Sequence, residues 1–295
     1  MHITKAVSVI LLVVIFSGCA NQGPAVAVDN PSATTRHNQV ATDAGPLGTP
    51  ASGEVSVVAN ETRGHLQGIA TDNVGAIYWV FNFEIIKTDM KGNVLKRTNF
   101  RGGHHGDSTY HDGKLYVATN YGAFNKETGA KSWVEIYDGN TLALVSKHEV
   151  PELVHGAGGM ATDHKGRFIV IGGLPGSHKN NYAYEYDARM KFVKRHVLPG
   201  RTGAGIQTAC YWNRSWWFGC FNDVLLKVDD QLGSLQRHKF QCNVGIAGLQ
   251  GDTFLVARSY KSPDGHAAGR AILAHADPSK GLVLDKPEAD GMLLR

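Results

Sequence analysis

Five times along this chain, a short run of alternating apolar residues ends in an aspartate and is followed by a turn and a second run. The runs are Ile-Ile-Lys-Thr-Asp ending at Asp89, Val-Glu-Ile-Tyr-Asp at Asp138, Tyr-Glu-Tyr-Asp at Asp187, Leu-Leu-Lys-Val-Asp at Asp229 and Leu-Ala-His-Ala-Asp at Asp277. The aspartates are spaced by 49, 49, 42 and 48 positions, a regularity that marks a repeat architecture. Upstream of each lies another strand behind a polar turn, such as residues 76–81 behind Asn73-Val74-Gly75 or 115–119 behind Asp112-Gly113. Before those turns come small residues, as in Gly68-Ile69-Ala70 and Gly158-Gly159-Met160-Ala161. Each unit therefore reads as four short antiparallel strands, and no stretch offers ten residues of capped helical periodicity.

Four-stranded units at this period predict an all-β fold, a five-bladed β-propeller of four-stranded antiparallel blades, with six blades as the alternative count. The small residues fall on the innermost strand, where blades converge. Residues 54–59 alternate apolar and polar and are placed to complete the last blade from outside, closing the ring and covering its edge. The domain at 54–295, including the phrase at 85–96 with its Lys-Thr-Asp and Lys-Gly-Asn, resembles the β-propeller repeat proteins of the gluconolactonase and NHL-repeat type. That resemblance implies architecture and not an activity, since one propeller fold hosts binding modules, scaffolds and enzymes.

The residues before the repeats read as an address. Residues 1–5 carry one lysine, 6–16 are apolar except for Ser8, and Ser17-Gly18-Cys19 follows. The run is shorter than the roughly 20 residues that span a bilayer. It reads as a bacterial lipoprotein signal peptide at 1–18 with Cys19 as the lipidated residue. Residues 19–53 are rich in Ala, Pro, Thr, Gly, Asn and Ser, the composition of a flexible linker. The expected location is the bacterial cell envelope, facing the periplasm or the outside, with the membrane engaged through the lipid alone. Lys plus Arg number 30 against 26 Asp plus Glu, with no basic block, so nucleic acid is not an expected partner. Cys210, Cys220 and Cys242 remain after Cys19; an odd number allows at most one internal disulfide, with three buried thiols the equal alternative.

If each blade runs from the inside outward, the loops entering the innermost strands share one face with the loops leaving the second strands, and the repeated aspartates sit on the other. The aspartates then serve as turn residues. The first face carries Arg63, His65, Gln67, Arg101, His104, His105, Asp107, His155, Arg201 and Gln207, joined by Asn82, Asn120, Tyr121, His178 and Arg258. Arginine and histidine beside glycine suit an anion, so the expected ligand is a small anionic or carbohydrate molecule, a uronic-acid glycan being favoured. One mechanism is β-elimination: Arg63, Arg101 or Arg201 neutralises the uronate, His105 or His155 removes the C5 proton, and Tyr121 protonates the leaving oxygen. That face offers few carboxylates, Asp107, Glu84, Glu152 and Asp223 being the nearest, and none forms an evident pair, which disfavours both a glycosidase with facing carboxylates and a calcium-dependent lactonase with an acidic axis.

The cofactor stays open. The one candidate is a divalent metal on His65, His105 and His155, which no His-x-His or His-Glu-x-x-His spacing supports. A non-catalytic scaffold binding a protein or envelope glycan is the alternative function, and a metal-dependent hydrolase the third. Trp79, Trp133, Tyr211, Trp212, Trp216 and Trp217 are candidates for sugar stacking, most of them expected in the core between blades.

Overall fold

The computed structural model describes residues 50, 52–99 and 102–287. The signal segment, Cys19, Arg101 and nearly all of the linker lie outside them. The described residues build a five-bladed β-propeller with no helix. Blade 1 holds β2 (Leu66–Thr71), β3 (Ala76–Phe81), β4 (Glu84–Asp89) and β5 (Val94–Asn99). Blade 2 holds β6 (His104–His111), β7 (Lys114–Asn120), β8 (Ser132–Asp138) and β9 (Leu144–Glu149). Blade 3 holds β10 (Ala157–Thr162), β11 (Phe168–Gly172), β12 (Asn181–Tyr186) and β13 (Phe192–Leu198), and blade 4 holds β14 (Ile206–Trp212), β15 (Ser215–Cys220), β16 (Val224–Asp229) and β17 (Leu235–Lys239). Every pairing is antiparallel between sequence neighbours, as expected for strands joined by tight turns.

Blade 5 departs from this plan. Its core is β18 (Ile246–Gly248), β19 (Thr253–Lys261) and the long β20 (Ala267–Asp277). The outer edge of β20 is shared: β1 (Glu54–Val58) pairs with it at Glu54↔Ile272 through Val58↔Ala268, and β21 (Gly281–Leu284) covers the remainder at 274–277. Thus the strand that begins the described fold and the one that ends it both close the ring, and β1 alone was foreseen in that role.

One apolar cluster fills each interface between blades. Trp79, Phe81 and Leu255 lie between blades 5 and 1, Tyr78, Val80 and Leu115 between 1 and 2, and Phe168 and Val134 between 2 and 3. Trp216 packs toward blade 3 and its neighbour Trp217 toward blade 5, as strand alternation requires. Outer strands β5, β9, β13 and β17 are largely exposed and each carries Lys, Arg or His, the kind of charge that keeps an open edge from pairing with another chain.

The innermost strands β2, β6, β10 and β14 each carry a bulge near their start. The extra residue pushes backbone toward the axis, where the strands pack closely and little side chain fits between them. A Cβ on Gly106 would stand 2.1 Å from the Gly158 carbonyl oxygen, and one on Gly68 only 2.5 Å from the Asp107 Cα. Small residues on the inner strand are thus a steric requirement.

Candidate functional site

The propeller has two chemically different ends. At the inlet end loops lead into the innermost strands; at the turn end the innermost hairpins turn back. All five repeated aspartates cap turns at the second. Asp89 accepts the backbone N–H of Lys91 and Asn93, Asp138 those of Asn140 and Thr141, Asp187 those of Arg189 and Lys191, Asp229 those of Gly233 and Ser234, and Asp277 those of Ser279 and Lys280. These contacts hold the Asp277 carboxyl down at about 2, the Ser279 hydroxyl being the largest contributor.

At the inlet end most of the anticipated polar groups bond to one another, to backbone or to a buried carboxylate. Asn82 Oδ1 accepts the His65 N–H at 2.7 Å and its amide nitrogen meets His104 Nε2 at 2.8 Å, while Gln67 Nε2 reaches both His65 (2.7 Å) and His104 (3.2 Å). Burial, then Lys261, lowers the His65 pKa; burial, then His65 and His105, lowers that of His104. Asn120 uses its whole amide to shape the loop at 121–131, donating to the carbonyls of Gly122 and Ala123 and accepting from Gly122 and Lys131. Phe124 from that loop stacks on His104 and sits against Gly156 and Gly158, over the mouth. Gln207 donates to the Ala204 carbonyl, and buried Arg258 to those of Gln241 and Ala257. Arg63 lies over Phe83, and Arg201 is exposed.

Asp107 is fully buried on the axis, its Oδ2 accepting the Ala209 N–H of the blade opposite at 2.8 Å. Burial pushes its carboxyl well above the usual range, outweighing the amide donors around it.

The three residues assigned to β-elimination do not share one opening. His105 is fully buried, its Nε2 facing Glu135 Oε2 at 3.4 Å and the Tyr137 hydroxyl at 3.3 Å. Glu135, also fully buried, accepts hydrogen bonds from Tyr137 (2.6 Å) and Tyr121 and pairs with Lys147 Nζ at 2.5 Å. Burial would raise the Glu135 carboxyl, but His105, Lys147, Tyr121 and Tyr137 together hold it at about 2; burial, outweighing the Glu135 attraction, keeps His105 below its ordinary value. His105 and Tyr121 therefore meet on one carboxylate at the face between blades 1 and 2, where the imidazole is fully buried and offers no surface to a substrate. His155 belongs elsewhere, beside His178 and Glu127. The trio His65, His105 and His155 likewise forms no common ligand group among the described residues; His65 goes with Gln67 and His104, and His105 with Glu135.

A cavity of about 440 Å³ opens at the turn end, lined by the closing residues of all five innermost strands. None of the anticipated Arg, His, Asn, Gln or Asp ligand residues lines it, but Tyr211 and Trp212, two of the candidates for sugar stacking, do. Its hydroxyls come from Thr71, Ser108, Thr109 and Thr162, its aromatic walls from Tyr110, Tyr211 and Trp212, and its basic groups from His111, His164 and Arg214. The walls are fixed from behind: Tyr110 stacks on Tyr78 with centroids 5.3 Å apart, Tyr211 donates to Asp230, and Trp212 lies against Gly248 and donates to the Gly251 carbonyl. Asp163, the one carboxylate among these lining residues, is engaged by Arg167 at 3.0 Å. Ser108 Oγ is buried and has no hydrogen-bond partner among the described residues.

Tyr211 and Trp212 were among the stacking candidates, whereas the basic and hydroxyl groups escaped the sequence reading because the turns were recognised as turns and given no further role. The available signal was the residues carried by the innermost ones: His111 before Asp112-Gly113, His164 after Asp163, and Trp212 before Asn213-Arg214, where positive φ at both central residues makes a tight hairpin. The three cysteines are buried free thiols, with burial raising Cys210 and Cys220 to about 12, so none is a reactive thiolate.

No known protein family matches the chain, and no curated protein matches it. Among solved structures, glutaminyl cyclase from Myxococcus xanthus is similar at a TM-score of 0.52 and 10% identity, over 76% of this chain and 98% of that one. A protein of unknown function from Bacteroides caccae (TM-score 0.45, 13% identity, 66% and 71% coverage) and BamB from Moraxella catarrhalis (0.39, 12%, 73% and 61%) are more distant in shape. At such identities the first likeness supports the propeller fold alone.

Proposed function

We propose that this chain is a lipid-anchored cell-envelope propeller that binds a small anionic carbohydrate, of the uronic-acid kind, in the turn-end cavity. Lipidation at Cys19, the linker at 19–53 and the kinship with the gluconolactonase and NHL-repeat type belong to the same reading and rest on the sequence. One observation carries the choice of ligand: the cavity lining holds the basic groups Arg214, His111 and His164 against a single carboxylate, Asp163, which is engaged by Arg167, a guanidinium that also pairs with Asp230 behind the wall. An excess of basic groups in a concave site favours an anion, and guanidinium is suited to a carboxylate. The hydroxyls and the flat faces of Tyr110 and Trp212 match a sugar's alternating polar edge and apolar face.

Titration calorimetry of the purified protein with an oligouronate and with its neutral counterpart tests this reading. The oligouronate is expected to bind and the neutral sugar to bind at least about tenfold more weakly, with Arg214→Ala abolishing the preference. Equal affinity for the two sugars, or unchanged discrimination in Arg214→Ala, overturns it.

A lyase reading has a specific observation behind it too: arginine, histidine and tyrosine, the residue types that neutralise a uronate, take its C5 proton and protonate the leaving oxygen, share this cavity as Arg214, His111 or His164, and Tyr110. Growth of ultraviolet absorbance from a new carbon–carbon double bond separates it from binding alone.

A further inference from the structure

Three side chains from three loops meet at the inlet end, between blades 2 and 3, apart from the turn-end cavity. Glu127 comes from the loop joining β7 to β8, His155 from the loop leading into β10, and His178 from the loop joining β11 to β12. The ligand atoms they offer all lie within 4.8 Å of one another. Two imidazoles and a carboxylate are a donor set typical of zinc-class divalent cations, and each ligand here is oriented from behind.

His155 Nδ1 faces the Lys126 carbonyl at 2.9 Å, which makes it the protonated nitrogen and leaves the Nε2 lone pair free to ligate. His178 Nδ1 faces the Tyr182 hydroxyl at 3.4 Å, leaving Nε2 on the Glu127 side. The Ser177 hydroxyl donates to Glu127 Oε1 and so directs Oε2 inward. Hydrogen bonds to the far atom of every ligand are the outer shell that metal sites use to fix tautomer and rotamer.

The spacing leaves room for an ion between the ligands. His178 Nε2 and Glu127 Oε2 are 3.3 Å apart. That contact is a long hydrogen bond, beyond the about 2.7–2.9 Å of a closed charge-assisted one, and it equals the about 3.3 Å at which two ligands held at zinc bond lengths in a tetrahedron stand apart. The imidazole centroids of His155 and His178 are 4.6 Å apart at 65°, close enough for both rings to face one ion.

We propose that Glu127, His155 and His178 bind one divalent cation of the zinc class. His155 is almost fully buried and anchors the site, while the Glu127 side chain is 59% exposed, so water completes the coordination and one position stays exchangeable. The ion ties the loop at 121–131, which carries Phe124 over the inlet mouth, to blade 3.

The test is zinc titration of the untagged, chelator-stripped full-length protein, with cobalt(II) absorption as a second readout. The expected result is one equivalent of zinc per chain and the intense visible bands of low-coordinate cobalt(II). Glu127→Gln, at an exposed position, and His178→Ala, at a half-buried one, with folding checked by circular dichroism, are each expected to weaken binding at least about 30-fold, and His104→Ala to leave it unchanged. Failure to take up a stoichiometric ion, wild-type affinity in both ligand variants, or loss of binding in His104→Ala overturns the proposal. None of these outcomes touches the turn-end cavity.

Discussion

Gly68 has no room for a side chain: a Cβ would stand 2.2 Å from Asp107 Oδ1 and 2.5 Å from its Cα, and backbone cannot swing aside. Gly68→Ala is therefore expected to lower unfolding free energy by about 3 kcal/mol, the upper range for overpacking. Gly75→Ala, with nothing within 4 Å, should change it by less than about 0.5 kcal/mol. Denaturant melts of both variants check the contrast, and equal stability would mean the axis is looser than described. A second residue-scale prediction concerns acid. His105 is held below its ordinary 6.5, so below about pH 6.5 the unfolded chain takes up a proton that the fold resists, and stability falls as pH falls. Glu135, depressed from 4.5 to about 2, adds stability that is complete above 4.5 and is lost as pH drops toward 2. Melting temperature should therefore start to decline near pH 6.5 and steepen below 4.5, with the first limb reduced in His105→Gln. A flat profile from pH 7.5 to 5 in the wild type contradicts this account of the buried pair.

At the scale of the element, closure depends on β1. Val55 and Val57 are buried in the cluster shared by blades 5 and 1, and the β1 backbone covers β20 from Ala268 to Ile272. Val57→Asp places an unpaired carboxylate in that cluster. It is expected to cost about 3–4 kcal/mol, or roughly 6–16 °C in melting temperature for a domain of this size. A scanning calorimetry shift under about 2 °C would show that β21 closes the ring without help. Strand order, blade number and this closure were all legible in the sequence, because alternation, turn residues and a fixed period are local signals that repeat. The bulges in β2, β6, β10 and β14 were not, since nothing local distinguishes a residue inserted at the axis from one that continues the ladder. The double edge of β20 was missed because residues 281–284 are too short to stand out as a strand.

Across the whole molecule, each end uses its polar residues differently. The inlet loops gather the histidines and arginines that stand beside glycine in the sequence, and those groups attracted the functional reading. In the structure, Asn82, Asn120, Gln67, Gln207 and Arg258 bond to loops and neighbours, and His105 is buried between blades 1 and 2. Which polar residues face a cavity is a tertiary fact: it depends on where five separate hairpins converge, and His111, His164 and Arg214 are far apart in the chain. Residue types were legible and their destinations were not; the Glu127, His155 and His178 cluster shows the same, since only folding brings the loop at 121–131 beside blade 3.

Hydrogen–deuterium exchange with and without a bound oligouronate tests the location of the ligand site most directly. Slowed exchange is expected in peptides covering 69–75, 108–114 and 209–215 at the turn end, with the inlet segments 63–67 and 201–207 unchanged. Protection confined to those inlet segments, with none at the turn end, would contradict the assignment of the ligand to the turn-end cavity.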